Sequence, residues 1–266
     1  MIVGPFLPWV EIGGLTFTGL VIEGGSWYSM YGIVEVALAG LAVVFGLATL
    51  SGVPGRHLPT YTAVVGVVAF WVCIEFIARP LGVEDVLGEV RYQPGVFVTI
   101  SSSLGIVAGA MWSASCSPAH GLLVKANPGS AGIFAVAFGA LLTVVGSLVP
   151  WWSFVGFGET ISFNGVESEG PLTGIFTLVL GVLAFLAALI ALAWQGRSIL
   201  LFVAMALGWS AAGIGIAWAG TMLRLFAEVD LGRRIGPGPF IVIAGGAIIG
   251  LGARAMCLRP AGQGLR

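Results

Sequence analysis

Two acidic residues lie inside stretches of the chain that are otherwise long and apolar. Glu35 lies about a turn and a half into the first stretch, and Glu75 lies near the end of the second. A charge in a bilayer costs ~2.5–3.5 kcal/mol on insertion scales, so both are candidates for a cation or proton site facing a cavity. Arg79 could pair with Glu75, whereas Glu35 has no such neighbour and corresponds to Thr177 in the second half. Snorkelling or interhelix hydrogen bonding is the favoured interpretation for both.

Two arginines recur at matched positions, each three residues before a Pro-Gly pair. Arg91 precedes Pro94, and Arg234 precedes Pro237. They could bind lipid phosphates, but a salt-bridge cluster that anchors the start of a helix is the favoured interpretation. The acidic neighbours available for such a cluster are Asp85, Glu89, Glu228 and Asp230.

The remaining reactive residue types form no recognisable site. Cys116, His120 and Cys257 could bind zinc only if they converged, and their scatter favours no metal site. The chain has no Gly-rich phosphate loop, no Walker-type lysine and no evident Ser/His/Asp set. We therefore expect no enzymatic activity and no cofactor. The net charge of −1 gives no reason to expect nucleic-acid binding.

The elements that carry these residues are membrane helices. The chain is 58% hydrophobic and 9% charged, whereas soluble domains carry about 25% charged residues. A bilayer core of ~30 Å requires roughly 20 apolar residues as a helix. The sequence therefore predicts an all-α polytopic membrane protein with seven transmembrane helices, over 30–50, 61–79, 95–115, 131–149, 172–194, 199–221 and 239–256.

The order of these elements indicates a tandem repeat. Pro8-Trp9 and Pro150-Trp151 each open a Gly-rich segment, and each half later reaches a Pro-Gly pair. We predict a first repeat over 1–115 with three helices, an inner linker over 116–130, and a second repeat over 131–266 with four helices. A four-helix unit whose first copy lacks one helix is favoured. A three-helix unit with a linker helix, or a start codon placed too late, would give the same pattern.

The long loops 8–29 and 150–171 are expected to form small β-hairpins. Both alternate β-branched or aromatic residues with polar ones, and glycines interrupt them. Their tryptophans are expected at headgroup level, where amphipathic aromatics are favoured, and are candidates for interaction with a partner. These are Trp9, Trp27, Trp151 and Trp152.

The distribution of basic residues predicts the orientation. The two long loops contain no Lys or Arg, although the overall count is six basic residues on one side against five on the other. We place these loops outside, with the N-terminus outside and the C-terminus cytoplasmic. Ten of the eleven basic residues are Arg, which suggests a prokaryotic plasma (inner) membrane protein.

Small residues recur at four-residue spacing in the helix that closes each half. Gly105 and Gly109 lie in the first, and Gly246 and Gly250 lie in the second. Glycine allows helix backbones to approach closely. Internal helix packing is the favoured role, and a dimer face is the alternative.

The order of helices and loops resembles the tetraspan architecture of claudins and peripheral myelin proteins. The resemblance covers 131–256, and 8–115 minus one helix, without the Trp-x-Gly-Leu-Trp signature or outer-loop cysteine pair of claudins. Read as three plus one plus three helices, the chain also resembles sugar-transporting SWEET proteins, but its spans lack their internal prolines. A rhodopsin is excluded because 239–256 has no lysine for retinal.

These observations favour a non-catalytic structural or accessory subunit. We expect its partners to be membrane lipid and either another membrane protein or a second copy of the chain. The alternative is a small-solute transporter or channel with its path at the repeat interface. The apparent lack of broken helices, which transporters use to build binding sites, favours the first interpretation.

Overall fold

Seven long helices dominate the computed structural model, which describes residues 1–12, 15–20, 29–51, 58–78, 90–116, 130–156, 159–166, 173–193, 198–228 and 233–258. All seven are long and apolar enough to cross a membrane, so the chain is a multi-pass integral membrane protein. The helices are α1 (Ser29–Leu50), α2 (Leu58–Ala78), α3 (Pro94–Cys116), α4 (Ser130–Leu148), α5 (Thr173–Ala193), α6 (Ser198–Glu228) and α7 (Gly238–Leu258).

The predicted all-α membrane class is confirmed, and one predicted helix boundary is wrong. Helix α6 continues to Glu228, seven residues beyond the predicted end at 221. The residues from 222 to 228 include no Gly or Pro, so nothing in this part of the sequence breaks the helix. Helix α2 begins at Leu58 and carries Pro59 in its first turn, where the missing N–H of proline is tolerated.

The second half of the chain forms a four-helix bundle. Helix α4 packs against α5 and α7, and α6 packs against the same two helices from the other side. In the first half, α2 packs against both α1 and α3, and the short 3-10 helix Gly4–Phe6 contacts α1 and α3. The two halves meet mainly through α2 and α6. Among the described residues, the first half therefore has three long helices where the second half has four.

Each half also carries a small antiparallel sheet. The strands are β1 (Pro8–Ile12), β2 (Leu15–Thr18) and β3 (Val90–Tyr92) in one sheet, and β4 (Pro150–Gly156), β5 (Glu159–Asn164) and β6 (Arg233–Ile235) in the other. The strand orders are β2-β1-β3 and β5-β4-β6. The expected hairpins are present. Both first strands have an irregular register just after their proline, between Pro8 and Val10 and between Pro150 and Trp152.

The third strand of each sheet comes from far along the chain. β3 pairs with β1 and places Arg91 opposite Glu11, while β6 pairs with β4 and places Arg234 opposite Ser153. Sequence analysis did not predict these three-residue strands, because they are too short to show a period of two. They connect each hairpin to the start of the following helix, α3 or α7.

Helices α4 and α7 approach each other backbone to backbone. Glycines at seven-residue spacing face one another on the two antiparallel helices. A Cβ atom built on Gly139 would lie 2.6 Å from the carbonyl oxygen of Gly245, and one on Gly245 would lie 2.6 Å from the carbonyl oxygen of Gly139. Real Cβ atoms do not approach this closely, so only glycine fits. The three facing pairs are Gly132 with Gly252, Gly139 with Gly245, and Gly146 with Gly238.

We predict that Gly139→Leu disrupts the packing of α4 against α7. It should lower the free energy of unfolding by about 3 kcal/mol or more, because a side chain there overlaps the backbone of α7. The matched control is Gly105→Leu on α3, since a Cβ at Gly105 has no neighbour within 4 Å among the described atoms. Thermal or SDS-induced unfolding in detergent measures both. Equal stability of the two variants would contradict this packing.

Candidate functional site

Glu35 lies fully buried on α1, with 0% of its surface exposed. Its Oε1 atom accepts a hydrogen bond from the thiol of Cys73 on α2, with a sulfur–oxygen distance of 3.4 Å. A thiol is a weak donor, so this bond compensates little of the cost of burying a carboxyl group. The other oxygen, Oε2, has no hydrogen-bond partner within the described parts of the chain. Glu35 Oε2 is therefore a buried acceptor that no described group satisfies.

Glu75 lies on α2 and connects the two halves of the protein. It is 1% exposed, and its Oε1 accepts a hydrogen bond of 2.5 Å from the hydroxyl of Thr173 at the start of α5. Arg79, the partner that the sequence suggests, lies outside the described residues. The contact with Thr173 gives Glu75 a structural role, because it holds α2 of the first half against α5 of the second half.

Most of the other buried hydroxyl groups bond within their own helix. Their oxygens donate to the carbonyl four residues earlier over 2.8–3.0 Å, which satisfies the hydroxyl without a partner from another helix. One bond crosses between helices: the hydroxyls of Ser147 on α4 and Thr177 on α5 lie 2.8 Å apart. The hydroxyls bonded within their helix are those of Thr99, Ser103, Thr143, Ser147, Ser210 and Thr221.

Trp9 and Trp151 lie inside the protein, which corrects the expectation that they face the headgroups. Both have no exposed surface. The indole N–H of Trp9 donates to the Gly4 carbonyl over 2.9 Å, and that of Trp151 donates to the Gly146 carbonyl over 2.9 Å. Since their polar atom is satisfied internally, these rings need no interface water, and neither can contact a partner.

Glycines make room for the two buried rings. A Cβ at Gly95 would lie 2.6 Å from the ring of Trp9, and a Cβ at Gly165 would lie 2.6 Å from that of Trp151. Each ring also meets a helix residue edge to face, with centroids 4.8 Å apart for Trp9 and Phe76 and 4.9 Å apart for Trp151 and Trp218. Each tryptophan thus joins a strand to the helices beneath it.

Trp152 belongs to a partly exposed aromatic surface on the second sheet. Its ring stacks on Phe163 at 4.5 Å and on Phe154 at 6.0 Å, and Arg233 lies 5.8 Å from its centroid. Ile161, opposite Phe154 in the register, is 40% exposed. We name the set Trp152, Phe154, Ile161 and Phe163 the aromatic face.

The two matched arginines lie at exposed positions on the third strands. Arg91 is opposite Glu11 on β1, a cross-strand arrangement that favours opposite charges. The Glu11 carboxylate also accepts a hydrogen bond of 2.9 Å from the side-chain amide of Gln93. The acidic neighbours expected from the sequence have no described side chains, so that predicted cluster remains a prediction.

The four candidate packing glycines divide into two groups. A Cβ at Gly246 would lie 2.5 Å from the carbonyl oxygen of Gly208, and one at Gly250 would lie 2.5 Å from the ring of Trp209, so both face α6. Gly105 and Gly109 on α3 have no described atom within 4 Å of a built Cβ. They do not pack internally in the described structure, which corrects the favoured expectation for these two residues.

Several candidates from the sequence lie outside what the structure describes. Trp27 and His120 are not described, and the side chains of Cys116 and Cys257 are not either. Within the described ranges, no group of three His, Cys, Asp or Glu side chains is placed to hold a metal ion.

Sequence analysis missed the glycines that form the closest contacts. It selected pairs at four-residue spacing, whereas α4 and α7 meet through glycines seven residues apart. Both segments contain glycines at seven-residue spacing, which is the period that keeps one face of a helix against a partner. Thr173 could not have been found, because nothing local to Glu75 indicates a partner on a distant helix.

Comparisons with known proteins identify no relative. No family model matches the chain, and no match to a curated protein or a solved structure is found. The class of protein therefore rests on the fold itself, which is that of a multi-pass integral membrane protein.

We predict that Trp151→Ala lowers the free energy of unfolding by about 3–5 kcal/mol, because it leaves a cavity between β4 and the helices. Phe134→Ala is the matched control, since Phe134 is 72% exposed on α4 and should change stability by less than about 0.5 kcal/mol. Thermal unfolding in detergent, followed by fluorescence, measures both. Similar losses for the two variants would contradict a buried, structural Trp151.

We also predict that Thr173→Val destabilises the protein by about 1–3 kcal/mol, because it removes a hydrogen bond to the buried Glu75 carboxyl. Thr221→Val is the control, since that hydroxyl donates to Ala217 of its own helix and should matter less. The Glu75→Gln, Thr173→Val double variant should show non-additive loss in a double-mutant cycle. Additive losses would mean that the two side chains do not interact.

Proposed function

We propose that this protein is a non-catalytic accessory subunit that binds another membrane protein, with lipid as a further ligand. The aromatic face is the observation that carries the proposal. It consists of large apolar side chains on the β4–β5 strand pair at the end of the helix bundle. These side chains are not part of a helix surface that faces lipid. Partly exposed aromatic groups with an exposed isoleucine among them, bordered by polar residues, are typical of interaction sites.

The form of the aromatic face supports a protein partner. Trp152, Phe154 and Phe163 stack into a flat set of rings, and Arg233 lies beside it. Tryptophan, aromatic and arginine side chains are enriched where proteins bind each other, because they bury large areas with little loss of side-chain entropy. In the first sheet the corresponding position to Trp152 is Val10, which is 1% exposed. The second sheet therefore carries a half-buried tryptophan at the position where the first sheet carries a buried valine.

The interior supports a non-transporting role. The buried hydroxyls of α3, α4 and α6 are mostly bonded to carbonyls of their own helices. The core around them is largely Ala, Val and Leu. A solute path requires polar groups that are free to contact the solute, and transporters commonly provide them from broken helices.

A second candidate function, a small-solute or proton transporter, has one observation in its favour. Glu35 is a fully buried carboxyl group with an oxygen that lacks a hydrogen-bond partner among the described residues. Intramembrane carboxyl groups commonly mark ion or proton paths. Uptake into proteoliposomes that is abolished by Glu35→Gln would favour this function over the accessory one.

We predict that the Phe154→Ser, Ile161→Ser double variant reduces co-purification of a stoichiometric partner by about tenfold, which corresponds to ~1.4 kcal/mol of binding free energy. The matched control is Thr160→Ala, Ser162→Ala, whose side chains alternate to the opposite face of β5. Tagged protein extracted from its native membrane in mild detergent, analysed by mass spectrometry, measures both. Wild-type protein that purifies alone, or equal recovery with both variants, would contradict the proposal.

A further inference from the structure

Strand β5 forms one edge of the second sheet. It is hydrogen-bonded to β4 on one side, and no described strand pairs with its other side, which we call the open edge. The residues from Glu159 to Ser162 are all exposed, so no described element covers them. The edge of a sheet presents a row of backbone N–H and C=O groups, and another extended chain can pair with them.

β5 lacks the features that commonly protect edge strands from pairing. Protected edges are short, or carry charged residues or proline. The other three edge strands, β2, β3 and β6, have four, three and three residues, and both β3 and β6 contain arginine. β5 has six residues, and its one charged residue is Glu159 at the end of the strand. Among the described edges, β5 is therefore the one best suited to pair with another strand.

The hydrogen bonds of β4 show how β5 is oriented. The N–H of Gly236, directly after β6, donates to the carbonyl of Trp151 over 2.8 Å. Backbone groups of successive residues point to opposite sides of a strand, so Trp152 directs its N–H and C=O toward β5. Trp152 lies opposite Phe163 in the register. Phe163 therefore directs its own backbone groups toward β4.

Alternation along β5 then identifies the groups at the open edge. Ile161 bonds to β4 as Phe163 does, whereas Thr160 and Ser162 turn their N–H and C=O groups away from β4. The side chains alternate as well, so those of Thr160 and Ser162 lie on the face opposite to the aromatic face. The open edge thus presents two donors and two acceptors from two exposed residues.

This edge is complementary to the same edge of a second copy of the chain. Antiparallel pairing centred on Ser162 places it opposite Ser162 of the second copy, so each N–H meets a C=O. On the aromatic face, Ile161 then lies opposite Phe163 of the second copy, and pairs of β-branched and aromatic residues stabilise sheets. The two Glu159 residues are six positions apart along the strands, or about 20 Å, so their charges repel little.

Neighbouring registers give poorer pairs. Centring the pairing on Ile161 would place Glu159 opposite Phe163, a carboxylate against an aromatic ring. Centring it on Phe163 would place Ile161 opposite Gly165, which has no side chain to pack against it. The pairing centred on Ser162 is therefore the register that the residues of β5 favour.

The position of the sheet is compatible with a dimer in a membrane. Two copies inserted in the same direction are related by a two-fold axis normal to the membrane, and an antiparallel strand pair has its two-fold axis perpendicular to the sheet. Trp152 and Ile235, which lie opposite each other, both pack against the core, so this face of the sheet is turned toward the helices. An axis perpendicular to the sheet therefore runs along the helices, as such a dimer requires.

We propose that two copies of the protein pair through β5. The two sheets form one six-stranded antiparallel sheet in the order β6-β4-β5-β5-β4-β6, with the two aromatic faces on the same side. The inference goes beyond the proposed function, because the dimer requires no other protein. Purified protein in vesicles therefore tests it separately from the accessory role.

A cysteine at position 162 tests the pairing directly. Full-length Ser162→Cys, with Cys116 and Cys257 replaced by Ser, is reconstituted in phosphatidylcholine vesicles and oxidised. In the dimer the two Cα atoms at position 162 are about 5.5 Å apart, which suits a disulfide. The matched control is Thr160→Cys, which is also exposed and lies on the same face of β5, but is about 14 Å from its equivalent in the dimer.

We expect Ser162→Cys to form disulfide-linked dimers about tenfold faster than Thr160→Cys, because only the first pair of thiols lies within bonding distance. Equal rates, or a faster reaction of Thr160→Cys, would overturn the proposal. Ser162→Cys that stays monomeric would also overturn it. The same reaction in native membranes must give the same dimer, and cross-linking there to a different polypeptide alone would assign the open edge to that partner instead.

A proline at the same position tests the backbone hydrogen bonds. Ser162→Pro removes an N–H at the open edge and keeps the bonds of Ile161 and Phe163 to β4, and proline is tolerated at such edge positions. We expect dimer affinity to fall by about tenfold or more, measured by single-molecule photobleaching in vesicles, with little change in unfolding temperature. Ser162→Ala is the matched control, because it keeps the N–H. Equal dimer fractions for the two variants would overturn the proposal, and cross-linking decides it if Ser162→Pro does not fold.

Discussion

The close contact of α4 with α7 is the constraint on which the bundle of the second half depends. In a bilayer, burial of apolar surface between helices gains little, because lipid tails are as apolar as the side chains; association depends on close packing and on polar contacts. Three facing pairs of glycines bring the two backbones together and allow α5 and α6 to close around them. Along α3, by contrast, Gly105 and Gly109 have no described atom within 4 Å of a built Cβ.

The buried tryptophans attach the two sheets to the helices. Trp9 and Trp151 each lie in a first strand, yet their rings pack among helix residues and bond to the backbone of Gly4 or Gly146. The next strand is fixed by the same residue, since the backbone carbonyl of Trp9 accepts from Gln93 and that of Trp151 accepts from Gly236. A sheet held in this way presents its other residues, including the aromatic face, in a defined direction. The same two kinds of contact occur in both halves of the chain, and the duplication itself stays a prediction.

The helices and hairpins could be predicted because their signals are local: length and apolarity for the spans, alternation and glycine for the strands. Features that depend on distant residues could not. The strand at Val90–Tyr92 is defined by its pairing with β1, and the partner of Glu75 is Thr173, 98 positions away. Trp9 and Trp151 have the composition and neighbours of interface residues, and only the position of the helices below them shows that they are buried. Glu35 was recognised as an unusual carboxyl group, but its hydrogen-bond donor, the Cys73 thiol, lies 38 positions away on another helix.

The central proposal is that the aromatic face at the end of the helix bundle binds another membrane protein. The most direct measurement is a cryo-electron microscopy map of the protein extracted from its native membrane in polymer discs, without detergent. The account predicts continuous density of another polypeptide against the aromatic face, in contact with Trp152, Phe154 and Ile161. A map of a solitary protein, with only lipid or solvent at the aromatic face, would contradict it.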